Sequence, residues 1–199
     1  MLEREANEHI QALAYQIQKR GNWCNGDSYF MKATEEYFIC TVADGLGSGA
    51  AAHASSNAIR EVVEKYHHED VDALIDYCNQ ALKNKRGATI SIFKVNFSLQ
   101  TFSYCSVGNI RFVLYCPSGR FIYPLPVLGF LSGKPQNHRS ETFSYEGGST
   151  FIIHTDGLMI PSVKQLLSSC RTIEDMSNQL ELYTNSRMDD LTYVVGELL

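Results

Sequence analysis

Two runs of β-forming residues in this chain each end on Asp-Gly, and that repeated ending limits what the chain can fold into. The first, Tyr37-Phe38-Ile39-Cys40-Thr41-Val42-Ala43, closes on Asp44-Gly45; the second, Phe151-Ile152-Ile153-His154-Thr155, closes on Asp156-Gly157. A third acidic element, Asp189-Asp190, stands just before the apolar run Leu191 to Val195, and Asp27 follows Gly26 near the start. Carboxylates at the ends of buried strands can converge at one rim of a sheet, where they repel one another. Such a cluster is tolerated mainly when divalent cations neutralise it. An acidic, all-oxygen metal centre is therefore the first functional expectation.

Composition narrows the alternatives. A chain of 199 residues with 44% hydrophobic and 20% charged residues suits one globular domain, residues 1–199. Its net charge of −5 gives no electrostatic case for nucleic acid or an anionic membrane as main partner. No run of 18 apolar residues offers a membrane span, and the charged, polar start is unlike a secretory signal. Six cysteines (Cys24, Cys40, Cys78, Cys105, Cys116, Cys170) form no CxxC pair and no zinc-finger spacing, so reduced, structural thiols and a cytoplasmic location are expected.

Periodicity predicts the elements between the acidic positions. The stretch Met1 to Gly21 is ambiguous between strand and helix; strands are expected around Ser28 to Lys32 and Tyr37 to Ala43. Ala50 to Tyr66 reads as a helix with Ala51, Ala54, Ala58, Val62 and Tyr66 inward. Val71 to Asn84 reads as a second, capped by Asp70, with Val71, Leu74, Ile75, Cys78 and Leu82 inward. Thr89 to Phe97 is apolar on both faces and reads as a central strand. Thr101 to Val107 and Ile110 to Tyr115 flank Gly108-Asn109, a pair suited to a two-residue hairpin. Phe121 to Tyr123 reads as a short strand, the Pro- and Gly-rich Pro124 to Arg139 as a loop or irregular edge, Thr172 to Tyr183 as a capped helix, and Leu191 to Leu198 as a strand. Strands in the middle with helices before and after argue an α+β chain with largely antiparallel sheets.

The motifs, in order, are Gly26-Asp27-Ser28, then Val42-Ala43-Asp44-Gly45-Leu46-Gly47-Ser48-Gly49, His154-Thr155-Asp156-Gly157-Leu158 and Asp189-Asp190-Leu191-Thr192. With Arg86-Gly87-Ala88-Thr89 and Ser106-Val107-Gly108-Asn109-Ile110-Arg111, this set resembles the PPM family of metal-dependent Ser/Thr protein phosphatases along the whole chain. The resemblance implies a four-layer αββα sandwich, two antiparallel sheets each flanked by a helix pair, with two divalent cations, Mn²⁺ or Mg²⁺, at one end. It implies that Asp44 bridges the cations and Gly45 offers its carbonyl. Asp156 and Asp189 hold one cation from across the cleft, Asp27 ligates directly or through water, and Asp190 stands behind them or as an alternative ligand. The arginine that grips phosphate near the N-terminus of many relatives has no counterpart in Arg4 or Lys19-Arg20, so phosphate contact falls to the cations or to Lys85 and Arg86. The long insertions that form substrate flaps are missing too.

The implied reaction is hydrolysis of phosphoserine or phosphothreonine by water activated between two cations, with Asp44 and Asp156 acting through that water. The implied partners are phosphorylated regulatory proteins of a bacterial stress-signalling complex, the stressosome scaffold subunits that resemble RsbS and RsbR. The competing reading is a phosphatase-like binding module that sequesters such a partner without catalysis. Taken singly, Asp-Gly is a common turn dipeptide; only the ordered set carries the metal reading. His154 is tempting as a general acid, but strand alternation can point it away from Asp156.

Overall fold

The computed structural model describes residues 2–185 and 187–199; Met1 and Ser186 lie outside it. The ambiguous amino-terminal stretch is a hairpin of β1 (Leu2–Ala6) and β2 (Ile10–Ile17), in which the Asn7 carboxamide oxygen accepts from the His9 and Ile10 N–H groups. There follow β3 (Asp27–Ala33), β4 (Tyr37–Gly45), α1 (Ala50–Tyr66), α2 (Val71–Ala81), β5 (Ala88–Asn96), β6 (Thr101–Val107), β7 (Arg111–Tyr115) and β8 (Phe121–Ile122). The chain continues through β9 (Glu141–Ser144), β10 (Ser149–His154), α3 (Val163–Ser169), α4 (Ile173–Glu181) and β11 (Leu191–Leu198). One sheet has the order β1-β2-β11-β10-β7-β8 and the other β3-β4-β5-β6-β9, with every neighbouring pair antiparallel.

Three apolar layers separate four structural ones. Successive residues of a strand point to opposite faces, and in β4 this sends Phe38, Cys40 and Val42 between the sheets and Ile39 and Ala43 toward α1 and α2. In β10 it sends Phe151 and Ile153 between the sheets and Ile152 toward α3 and α4. Both faces of the central strands are covered, which is why these runs read as continuously apolar. The layer between the sheets is rich in phenylalanine: Phe93 of one sheet lies 4.8 Å from Phe151 and 4.9 Å from Phe112 of the other, centroid to centroid. This is the αββα sandwich that the motif order implied.

Helix signals were largely legible. Asp70 Oδ1 accepts from the Ala73 N–H at 2.8 Å, Thr172 Oγ1 accepts from Asp175 N–H at 3.1 Å, and the inward face expected for α2 is buried. The face of α1 is partly rotated from expectation: Ala58 is buried and Val62 and Tyr66 pack on the core as expected, but Ala52, Ser55, Ser56, Ile59 and Val63 are buried too, whereas Ala51 and Ala54 are exposed. Two small serines can occupy the inner stripe because Ser55 Oγ donates to Ala51 O and Ser56 Oγ to His53 O, leaving no unpaired hydroxyl.

The expected hairpin at Gly108-Asn109 does not form. β6 pairs with β5 and β9, whereas β7 pairs with β10 and β8, so the chain crosses there from one sheet to the other. Gly108 has φ 119°, its N–H donates to Val127 O at 2.9 Å, and a Cβ would overlap the Thr89 side chain. The Gly-Asn pair is thus a sheet-to-sheet corner rather than a turn. Segment 124–139 is stitched to that corner by bridges Val107–Val127 and Ala88–Leu131. Replacing Phe93, fully buried at the meeting of the two sheets, by alanine is expected to cost about 3–5 kcal/mol of unfolding free energy in urea titration, with metal held constant.

Candidate metal centre

Register brings the acidic residues to one end of the sandwich. Asp27 opens β3 directly opposite Asp44 near the end of β4, and Asp44 is also paired with Thr89 of β5, so it is held by ladders on both sides. In the other sheet His154 pairs with Tyr193, which puts Asp156, just past β10, at the same rim as Asp189, just before β11. Thr155 ties the sheets together: its Oγ1 donates to Asp27 Oδ2 at 2.8 Å and accepts from the Thr192 N–H at 3.0 Å. Gln16 of β2 donates to Asp27 O at 3.1 Å.

In both Asp-Gly pairs a side chain on the glycine would run into main chain, the Ala52 carbonyl at Gly45 and the Asp190 carbonyl at Gly157. The glycines therefore allow α1 and the 189–190 segment to close on the strand ends that carry the aspartates. Asp190 is buried, and its two carboxylate oxygens accept from the Lys19 and Gly26 N–H groups, each at 2.9 Å. It fastens the Gly26-Asp27 turn to the segment that leads into β11. Asp156 Oδ2 accepts from Asn109 Nδ2 at 2.8 Å, so the sheet-to-sheet corner also orients an acidic side chain.

Electrostatics mark the cluster. Asp27, only 3% exposed, has its pKa raised well above the ordinary 3.8 by burial and then by the charge on Asp44. Burial, with the charges of Asp156, Asp189 and Asp190, pushes the Asp44 carboxyl up to about 7. Carboxylates from both sheets thus feel one another across the cleft. The arrangement is open: among the described residues no three His, Cys, Asp or Glu side chains close around one point. An all-oxygen, repelling donor set on an open rim fits hard cations that keep several of their waters, as Mg²⁺ and Mn²⁺ do, and not Zn²⁺.

The remaining candidates separate. The Arg86 guanidinium approaches Leu46 O at 3.5 Å and packs over Gly47, in the loop that follows Asp44-Gly45. Lys85 lies in the neighbouring exposed depression and not among the carboxylates. Arg4 is paired with Glu174 at 2.8 Å. His154 points with Ile152 toward α3 and α4 and lines a cavity of about 430 Å³ together with Arg111, Asp156, Leu158 and Met159. Its Nδ1 donates to Thr155 O at 2.9 Å, and burial depresses its pKa to about 4. Its imidazole is thus held neutral on the helix side of the strand. Thr155 and Asn109 escaped the sequence reading, because a neutral side chain next to a carboxylate gives no signal until the sheets are assembled.

An αββα sandwich with aspartates from both sheets at one rim defines the architecture of a metal-dependent protein phosphatase. The chain belongs to the SpoIIE family of PPM-type phosphatases: the family model described as Stage II sporulation protein E matches residues 34–195. It is similar to phosphoserine phosphatase RsbX of Bacillus subtilis (strain 168), 56% identical over 198 residues and covering 100% of both chains. A crystal structure of RsbX in complex with magnesium superposes with a TM-score of 0.97 at 56% identity, covering 100% of each chain. A chain solved in work on the bacterial stressosome, a modular system adapted to control secondary messenger signalling, is 26% identical with a TM-score of 0.85, covering 96% of this chain and 100% of that one.

Two measurements check the electrostatic account. The folded-state pKa values of Asp27 and Asp44 are raised, so the folded protein binds more protons than the unfolded one above pH 3.8, and stability falls as pH rises toward about 7. EDTA-stripped protein is therefore expected to melt at a lower temperature at pH 8 than at pH 5, and Asp44→Asn to reduce that difference. Asp190→Ala leaves two backbone donors without their carboxylate and is expected to cost about 2–3 kcal/mol in urea unfolding.

Proposed function

We propose that this chain is a metal-dependent protein phosphatase that hydrolyses phosphoserine and phosphothreonine on phosphorylated regulators of a stress-signalling pathway, returning the signal to its resting state. The observation that carries this reading is the convergence of Asp27, Asp44, Asp156 and Asp189 at one rim. It occurs in a chain 56% identical along its whole length to a phosphoserine phosphatase. Residues 1–199 would work as one phosphatase unit in the cytoplasm. The finer assignment of partner is the scaffold of a stressosome, subunits resembling RsbS and RsbR; the likeness to RsbX and to a chain from stressosome work supports it.

Two divalent cations, Mg²⁺ or Mn²⁺, would be held by Asp44 and the Gly45 carbonyl on one side and by Asp156 and Asp189 on the other, with Asp27 as direct or water-bridged ligand. When bound, such cations neutralise the carboxylates, acidify water and draw charge from phosphoryl oxygens. The chain's own residues supply rigidity and aim. The ladders of β3 and β5 fix Asp44, the Thr155 hydroxyl orients Asp27, the Asn109 amide orients Asp156, and Asp190 fixes the Gly26-Asp27 turn. Arg86, over the Leu46-Gly47 loop, is the cation best placed to meet phosphate. Water adds to phosphorus and the seryl or threonyl oxygen departs, so no side chain needs to carry the phosphoryl group.

Purified protein with Mn²⁺ is expected to release phosphate from a phosphoserine peptide and from p-nitrophenyl phosphate. EDTA should abolish both reactions and added Mn²⁺ or Mg²⁺ restore them. Asp44→Asn should lower kcat at least about 100-fold while the protein stays folded. Hydrolysis that ignores EDTA, or an active Asp44→Asn protein, would overturn the reading.

A further inference from the structure

Lys83, Lys85, Arg86 and Lys134 surround a shallow depression of about 660 Å³ with Phe130 at its side, and no acidic residue lines it. The ion pairs among the described residues use Arg4, Arg60, Arg120 and three histidines, so none of these four cations is neutralised by a carboxylate. In a chain of net charge −5, this is an unpaired positive patch.

The patch is held together by built contacts rather than by adjacency in sequence. Asn79 of α2 accepts from the Ser132 and Gly133 N–H groups at 3.2 and 2.9 Å, and its amide donates at 2.7 Å to Lys134 O, 55 residues away. Ala88 and Leu131 exchange backbone hydrogen bonds of 3.0 and 2.9 Å. The backbone of Lys83 lies so close to Gly133 that a Cβ there would sit 2.7 Å away. Two distant segments are thereby locked side by side with their lysines exposed. The patch is also continuous with the acidic rim, because Arg86 lines the depression and lies over the Leu46-Gly47 loop.

We infer that this depression docks an acidic segment of the phosphoprotein substrate, close in sequence to its phosphoserine; the inference rests on the phosphatase reading. An acidic segment is repelled by the carboxylate rim and by the net charge, and the depression offers it the opposite sign next to the reaction site. Three lysines and one arginine suit a string of carboxylates better than a single phosphate, since ammonium groups are movable point charges while the guanidinium is the fork that grips a phosphoryl group. The partly exposed Phe130 ring gives the docked segment an apolar wall. Surface cations interact through screened Coulomb forces, so the docking acts on substrate capture and weakens with salt.

The test uses the Mn²⁺-loaded protein and three substrates: a phosphoserine peptide flanked on both sides by Asp and Glu, the same peptide with Asn and Gln, and p-nitrophenyl phosphate. The expected result is a kcat/KM about tenfold higher for the acidic peptide, carried by KM and shrinking as NaCl is raised from roughly 0.05 to 0.5 M. The variant K83E/K134E, with Lys85 and Arg86 intact, is expected to lose or invert that preference while p-nitrophenyl phosphate turnover stays within about twofold of wild type. The K83A/K134A variant should fall between the two, which guards against a folding defect in the charge reversal. Equal hydrolysis of both peptides by wild type, or an unchanged preference in the variants, overturns the docking site and leaves the phosphatase reading standing. If wild type hydrolyses none of the three, the phosphatase reading falls and the docking site with it.

Discussion

The carboxylates can face one another only because a layer of phenylalanine clamps the two sheets together behind them. Phe93 of one sheet meets Phe112 and Phe151 of the other at centroid distances of 4.9 and 4.8 Å, and burial of each such ring stabilises the fold by roughly 1.5–3 kcal/mol. The opposing force is the burial of the Asp27 and Asp44 carboxyls, joined by repulsion among the aspartates, which together drive them toward protonation. Stability at the apolar centre thus offsets electrostatic strain at the rim, and cations acting on the rim alone would relieve it. Binding affinity and fold stability are two readings of the same cleft.

Much of this was legible in the sequence because charge and apolar periodicity are strong local signals. Aspartate at the end of an apolar run announces a rim, and the runs ending at Asp44 and Asp156 did become central, doubly covered strands. The failures have physical causes. Gly108-Asn109 carries the chemistry of a hairpin, but Val107 and Arg111 continue into different sheets, a choice made by pairing partners far away in the chain. In α1, alanine outweighs serine on any hydropathy scale, yet serine fills the inner stripe because its hydroxyl returns to the helix's own carbonyls. Helix α3 and strand β9 are too short to show a period.

The acidic residues of the site were visible one by one, whereas the groups that aim them were not. Thr155 matters because its hydroxyl crosses from one sheet to Asp27 of the other, and Asn109 because a corner of chain delivers its amide to Asp156. Neither role exists before tertiary assembly. The basic depression is intermediate: Lys83, Lys85 and Arg86 are neighbours in sequence, but Lys134 joins them only through Asn79.

The strand order also separates the two halves of the site in time. The sheet containing Asp27 and Asp44 is largely assembled from strands that follow one another, β3-β4-β5-β6. The other is closed by β11, which inserts between β2 and β10 and pairs residues 191–198 with residues 10–17. Such pairing must span nearly the whole chain before it yields any contact energy, and it is intrinsically the slower step. Only once β11 lies between β2 and β10 do Asp156 and Asp189 stand at the same rim as Asp27 and Asp44. The two acidic walls of the cleft therefore depend on contacts of opposite range, one local and one spanning the chain.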